Sequence, residues 1–291
     1  EFRTKVEFKQ DRFDIFFDEA IFKQVDWWNL IGNEGIFADS VYLKAGHINV
    51  YSDKRLPMSG KSKVGNYPHQ MLTKIDLPLY VKYIALNNID VTFEEFNPVS
   101  GQSGKLIFNN TEGKIWNITN MPEQIASNGE MKVTAKTKFM NEANLDVVFD
   151  FNLAKVDKGV FSVDATMGAM DGKKLNKASE GLGMVMVEDL QIDELKVHVS
   201  GNDYNGKGTV LFAYHDLKIA ALKEDEESGD LKKKPLVTFI ANTFVINKSN
   251  PSGAKGEKKQ YTVAQERDPE KSYFNLIWQS IKEGVIKTVK K

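Results

Sequence analysis

Residues 145–153 read Leu-Asp-Val-Val-Phe-Asp-Phe-Asn-Leu, and this stretch decides the fold class. Apolar side chains occupy every second position, and only Val148 interrupts the polar series between them. A strand sends alternate side chains to opposite faces, whereas a helix would scatter these apolar residues around its circumference. The stretch is therefore predicted to be a β-strand with one apolar face and one polar face.

The same period of two recurs along the chain. It is found at 89–93, 133–139, 161–167, 210–214 and 237–241. Short turn signals separate these stretches, for example Asn128-Gly129 and Asp171-Gly172. Such short connections join antiparallel neighbours, because parallel crossovers need a dozen or more residues. We predict an all-β chain of roughly a dozen strands, mostly antiparallel, in a sheet that meets water on one face.

Two stretches break the pattern. Residues 52–76 combine prolines, glycines and lysines, which predicts a long surface loop. Residues 223–234 hold an acidic block followed by a basic one, which is typical of a solvated hairpin tip. Short helices are possible within 18–31 and 180–186.

The C-terminus gives the clearest helix signal. Asp268 can act as N-cap, and Pro269 occupies the favoured first helical position. We predict an amphipathic helix over 269–289, so the chain divides into a β domain at 1–267 and a helix at 268–291 that packs on or caps the sheet. The residues expected to pack against the end of the apolar face are Phe274, Ile277, Trp278 and Ile281.

A membrane-facing alternative for this helix stays open. In that interpretation its apolar face lies on a bilayer, and lysines meet the anionic headgroups. The lysines concerned are Lys282, Lys287, Lys290 and Lys291.

The composition and the missing motifs argue against catalysis, metal binding and nucleic-acid binding. The chain has no Cys, so disulfides, thiolate nucleophiles and Cys-ligated zinc are excluded. Lys plus Arg number 39 and Asp plus Glu number 40, a balance that gives no basic footprint for nucleic acid. No phosphate-binding loop or nucleophile elbow occurs. We expect no enzyme activity, no cofactor and no metal.

The four histidines support that expectation. None has the spacing of a metal-ligand set. His215-Asp216 is the one suggestive pair, but neighbouring residues of a strand point to opposite faces, so we do not expect a dyad there.

Two segments resemble a known family. The first is residues 77–113, which include Thr92-Phe93-Glu94-Glu95, and the second is the tail from Tyr273 to Val285, with Phe274, Trp278, Ser280 and Gly284 at regular spacing. Together they resemble the C-terminal part of large AsmA-like proteins of the Bacteroidetes type. That family includes TamB and belongs with the bridge-like lipid transfer proteins.

The resemblance implies a fold and a role. The strands would form an elongated sheet curled into an open U-shaped trough, a β-taco, with an apolar inner groove and a C-terminal helix. The protein would bind phospholipid or another acyl-chain ligand in the periplasm and support outer-membrane biogenesis in the cell envelope. The family's N-terminal membrane helix is not present in this sequence, so we expect any membrane anchor to lie outside this chain.

Alternation alone does not separate a groove from the core of a two-sheet sandwich, and the resemblance favours the groove. Two other functions stay open. The sheet edge could dock strands of outer-membrane or other envelope proteins by β-augmentation, or the chain could be an enzyme acting on glycan or lipid. The residues expected to line the groove are Leu145, Val147, Phe149, Phe151, Leu153, Phe161, Val163, Met167, Phe212 and Phe239.

Overall fold

The computed structural model describes residues 3–224, 231–233, 246–252 and 256–290. The strand predicted at 237–241, including Phe239, lies outside the described residues, as does most of the charged block at 223–234.

The described strands form one large open sheet, mixed but mostly antiparallel, which confirms the predicted strand content. Its order is β1-β2-β3-β4-β5-β6-β7-β9-β10-β11, with β12 also pairing β10 and β8 pairing β9. The bounds are β1 Arg12–Lys23, β2 Ile36–Asp53, β3 Leu79–Asn97, β4 Gln102–Thr119, β5 Glu130–Phe139, β6 Ala143–Asn152, β7 Phe161–Met167, β8 Met170–Asp171, β9 Val185–Gly201, β10 Asn205–Glu224, β11 Leu231–Lys233 and β12 Gln260–Glu266.

Helical elements lie before, between and after the strands. Short 3₁₀ turns span Arg3–Lys5, Leu153–Lys158 and Gly172–Leu175. The α-helices are α1 Trp27–Ile31, α2 Pro68–Leu72, α3 Pro122–Ser127, α4 Asn176–Gly183 and the long C-terminal α5 Tyr273–Val289.

One strand pair departs from the antiparallel rule. β2 and β3 pair in parallel, from Ile36 opposite Leu79 to Asp53 opposite Phe96. A parallel pair needs a long return path, and residues 54–78 provide it. We call residues 54–78 the crossover segment.

The crossover segment is only in part the surface loop that the sequence predicted: residues 54–66 are irregular and mostly exposed, but the part that follows is not. Tyr67 and His69 are fully buried and Gln70 is nearly so. The prediction missed this buried part because the return path of a parallel pair passes over a face of the sheet, and here Tyr67 and His69 cover part of the apolar face.

The C-terminal helix begins later than predicted. Its N-cap is Ser272 and its first residue is Tyr273. The Asp268 carboxylate accepts a hydrogen bond from the Glu270 N–H at 3.0 Å, and the Lys271 N–H donates to the Asp268 carbonyl oxygen at 3.1 Å. Asp268 thus closes a tight turn ahead of the helix, a role that Asp side chains commonly take.

The molecule exposes more surface than a compact protein of its size. Its accessible surface is 16409 Å². A compact monomer of this mass would expose about 12,500 Å². In the described sheet, nearly all residues of β1 and most of β2 are exposed or only partly buried, so no second layer covers that part of the sheet.

Candidate apolar binding face

The apolar face is built from rows of side chains that run across neighbouring strands. In one row, Val133 of β5 pairs with Phe149 of β6, which pairs with Val163 of β7. The row continues to Val199 of β9. The next rows are Ala135–Val147–Ala165–Val197 and Thr137–Leu145–Met167–Leu195. Cross-strand neighbours on one face stabilise a sheet, so the alternation in the sequence becomes a continuous apolar surface.

The opposite face is polar and carries ion pairs between strands. Lys132 Nζ lies 3.1 Å from Asp150 Oδ1. Lys136 Nζ lies 3.5 Å from Asp146 Oδ1. His198 Nδ1 lies 2.7 Å from Asp164 Oδ1, and both side chains are exposed. Such exposed pairs contribute little stability, but they keep this face in water.

An aromatic cluster covers one end of the apolar face. Tyr67 of the crossover segment packs edge-on against Phe161 with ring centroids 5.5 Å apart. His69 lies 5.1 Å from Phe151, and Tyr273 of α5 lies 5.1 Å from Tyr67. We name these residues, together with Phe149, the aromatic cap: Tyr67, His69, Phe149, Phe151, Phe161 and Tyr273.

The far end of the face is closed by a second cluster. Met140, Met167 and Met170 are buried there with Phe212 and Tyr214. Val285 and Val289, from the last turns of α5, pack against this cluster. α5 therefore runs over β10 from one end of the apolar face to the other.

Between the two clusters the face is only half covered. Ile115, Val133 and Val147 are partly buried and pack against the core without being enclosed by it, and Phe149 of the aromatic cap, also partly buried, borders them. These residues lie on β4, β5 and β6, beside the strip that α5 covers. The described structure therefore contains an apolar strip that is accessible from one side.

The structure places the predicted groove residues in two groups. The first group is half-buried and belongs to the accessible strip or borders it: Leu145, Val147 and Phe149. The second group is buried beneath α5, the crossover segment or the far cluster: Phe151, Leu153, Phe161, Val163, Met167 and Phe212. Leu153 lies just past the end of β6, in a 3₁₀ turn, and is still buried.

The packing face of α5 differs from the prediction. Ile277 is buried as expected, and Ile281 is partly buried against the core. Phe274 and Trp278 are more than half exposed, although the Phe274 ring still lies edge-on 6.4 Å from the Phe149 ring of the apolar face. The residues buried in their place are Tyr273, Leu276, Ser280, Gly284 and Thr288. Small residues face the sheet because the helix lies very close to β10: a Cβ on Gly284 would fall 2.3 Å from Val210 Cβ.

A buried ion pair ties the aromatic cap together, and sequence patterns gave no signal for it. Arg267 Nη1 donates to Asp203 Oδ1 at 2.9 Å, and Nη2 donates to the Lys63 carbonyl oxygen at 2.7 Å. Gln70 Nε2 donates to Asp203 Oδ2 at 2.6 Å. The pair therefore joins the β9–β10 turn, the approach to α5 and the crossover segment.

Burial shifts the pKa values of two titratable side chains in the aromatic cap. Burial raises the pKa of Tyr67 to about 12, and its hydroxyl donates to the Asn202 carbonyl oxygen at 2.7 Å. Burial lowers the pKa of His69 to about 4. Neither ring nitrogen of His69 meets a hydrogen-bond partner among the described residues. His69 is therefore a neutral, apolar packing element at neutral pH.

One expectation about the histidines was wrong. His215 Nδ1 lies 2.7 Å from Asp216 Oδ2, although neighbouring strand residues should point apart. Asp216 has a φ of +60°, in the left-handed region, and this breaks the alternation at a bulge of β10. The pair is exposed, and hydrogen bonding to Asp216 raises the pKa of His215.

The polar face carries two shallow depressions. One, of about 170 Å³, lies near the His198–Asp164 pair and is lined by residues such as Lys196, and the other, of about 260 Å³, is lined by residues such as Asp150 and Ser162. Small-molecule sites usually have 300–1,000 Å³. Over the ranges that the structure describes, no cluster of three His, Asp or Glu could hold a metal ion.

Comparisons with protein-family models, curated proteins and solved structures give no match. None of the described helices is both long and apolar enough to cross a bilayer. The fold and the face together define a protein with one large, mostly antiparallel sheet, a polar outer face, and an apolar face partly covered by a C-terminal helix.

Proposed function

We propose that this chain is a non-enzymatic lipid-binding protein that holds acyl chains along the half-covered strip of its apolar face. The observation that supports this proposal best is the strip itself: Ile115, Val133 and Val147, bordered by Phe149, form part of the apolar surface, yet they are only partly buried among the described residues.

Covering the strip with an acyl chain removes apolar surface from water. Apolar area left in water costs about 25 cal/mol per Å². An acyl chain has no polar groups to satisfy, so it can cover a strip of Val, Ile and Phe without needing hydrogen-bond partners. The polar face, with its lysine–aspartate pairs, keeps the complex in solution.

The cellular role belongs to the same proposal. The resemblance to AsmA-like proteins supports a place in the periplasm, lipid transfer as the activity, and outer-membrane biogenesis as the process served. A sheet curled into a trough would suit this role, since curvature would shield the acyl chain from water on both sides.

Native mass spectrometry of the chain purified from a bacterial envelope extract, followed by lipid extraction, tests this proposal. We expect phospholipid to co-purify at a defined stoichiometry. A chain that carries no lipid and does not take up a fluorescent fatty acid in titration contradicts the proposal.

A second function is favoured by the β1 edge. β1 is an outermost strand of the sheet, and Phe13, Ile15 and Phe22 on it are more than half exposed. Long apolar edge strands readily pair with another chain. In the same mass spectra, a stoichiometric envelope protein in place of lipid would support strand docking as the function.

A further inference from the structure

The hairpin tip that joins β1 to β2 carries an apolar cluster with no partner in the described structure. α1 has the sequence Trp27-Trp28-Asn29-Leu30-Ile31, and none of its residues is buried. Trp28 is 87% exposed, Ile31 78% and Trp27 59%. We call residues 24–35 the tryptophan tip.

Local hydrogen bonds give the tryptophan tip a defined shape. The Asp26 carboxylate accepts from the Asn29 backbone N–H at 3.1 Å and from Asn29 Nδ2 at 2.7 Å. The Glu34 N–H donates to the Asn29 carbonyl oxygen at 2.8 Å. Asn29, the one polar residue of α1, is used inside the tip, which leaves the apolar side chains to face outward.

The exposed apolar area of the tryptophan tip is smaller than the area that a stable protein interface usually buries. The four apolar side chains of α1 expose about 600 Å² in total, at the upper end for a single apolar patch on a monomer. A standard protein interface buries about 800 Å² on each partner and needs a matching surface. A fluid bilayer needs no matching surface, and a small protruding cluster can enter it.

The chemistry of the tip fits the boundary between headgroups and acyl chains. Indole rings combine a large apolar surface with one N–H donor, and they concentrate at that boundary. Residues 24–35 contain Asp26 and Glu34 but no Lys or Arg. Surfaces that depend on anionic lipid carry cations, so this tip is suited to entry by apolar partition into neutral lipid.

We propose that the tryptophan tip is a membrane-interface anchor that inserts Trp28 and Ile31 into the headgroup–acyl boundary of a phospholipid bilayer. The anchor does not depend on the acyl-chain strip: either can exist without the other. If both exist, the tip holds one end of the sheet at a membrane surface.

Co-sedimentation of the full chain with phosphatidylcholine vesicles tests the anchor. The test variant is Trp28→Ser with Ile31→Ser. The matched control is Trp278→Ser, which removes a half-exposed Trp from α5. We expect the partition coefficient to fall at least about tenfold in the test variant and less than about twofold in the control. Adding phosphatidylglycerol should change binding of the unaltered chain little.

Three outcomes would overturn the proposal. The first is no sedimentation of the unaltered chain with either vesicle. The second is binding that requires phosphatidylglycerol and is lost in Trp278→Ser, which would assign the membrane contact to α5. The third is a concentration-dependent dimer that the tip variant abolishes, which would make the tip a contact between copies. Circular dichroism checks that each variant is folded, and fatty-acid titration of the tip variant reports separately on the acyl-chain strip.

Discussion

Arg267 donates from Nη1 to Asp203 Oδ1 at 2.9 Å, and the two side chains are exposed by only 2% and 4%. The Arg267 guanidinium also lies 4.4 Å from the centre of the Tyr67 ring. Arg267 precedes α5, Asp203 lies in the β9–β10 turn, and Tyr67 belongs to the crossover segment. This single contact therefore holds in place the two pieces of chain that cover one end of the apolar face.

Arg267→Met should destabilise the fold by about 3–5 kcal/mol, because it leaves the Asp203 charge buried without its partner. The matched control is Lys136→Met, which breaks the exposed Lys136–Asp146 pair and should cost no more than about 1 kcal/mol. Urea unfolding measures both. Equal unfolding free energies for the two variants would contradict a structural role for the buried pair.

His69 should make stability depend on pH. Its folded-state pKa of about 4 lies below the ordinary value of 6.5, because burial disfavours the charged ring. The neutral form is favoured in the folded chain, so its contribution is fully present above pH 6.5 and is lost as the pH falls toward 4. The expected loss over that window is about 3 kcal/mol.

The variant His69→Phe tests this pH dependence. Relative to the unaltered chain, its unfolding free energy should decline less between pH 7 and 4. His198→Gln, at an exposed site, is the control and should keep the original profile. Identical profiles for all three proteins would show that His69 is not held neutral.

Val147 and Val148 are neighbours of the same type on opposite faces of β6. Val147 pairs with Ala135 and Ala165, whereas Val148 pairs with Thr134 and Asp164. Val147→Lys should abolish fatty-acid binding and lower the melting temperature, because it places a charge on the apolar strip. Val148→Lys should leave both nearly unchanged. Equal binding by the two variants would remove the strip from the lipid-binding proposal.

Gly284 sets how closely α5 approaches the sheet. In Gly284→Ala the new Cβ would meet Val210 at 2.3 Å, so we expect a loss of about 1–3 kcal/mol from overpacking. Gly183→Ala in α4 is the control, since a Cβ there has nothing within 4 Å. Gly284 lies inside α5 and Gly183 is the last residue of α4, so Ala adds up to about 1 kcal/mol of helix propensity at Gly284 and less at Gly183, and we expect the overpacking at Gly284 to outweigh that gain. Thermal unfolding should therefore rank Gly183→Ala above Gly284→Ala.

The sequence alone determined the local features of this protein. The alternation at 145–153 predicted both the strand and its two faces, because side-chain direction in a strand depends only on neighbouring positions. Short turns predicted antiparallel order for most of the sheet for the same reason. The C-terminal helix was predicted in the right place, although its start was set four residues too early.

What covers the apolar face depends on contacts between segments that are distant in the sequence. Arg267 binds the carbonyl oxygen of Lys63, a residue 204 positions away, and no local pattern encodes that meeting. The rotation of α5 follows from how closely Gly284 can approach Val210, and the burial of His69 follows from the parallel pairing of β2 with β3. The exposure of Trp28 likewise depends on the fold, since α1 lies at the tip of the β1–β2 hairpin at one edge of the sheet. The apolar alternation and the turn residues depend on neighbouring positions in the sequence. The covering of the apolar face depends on segments that meet only after the chain has folded.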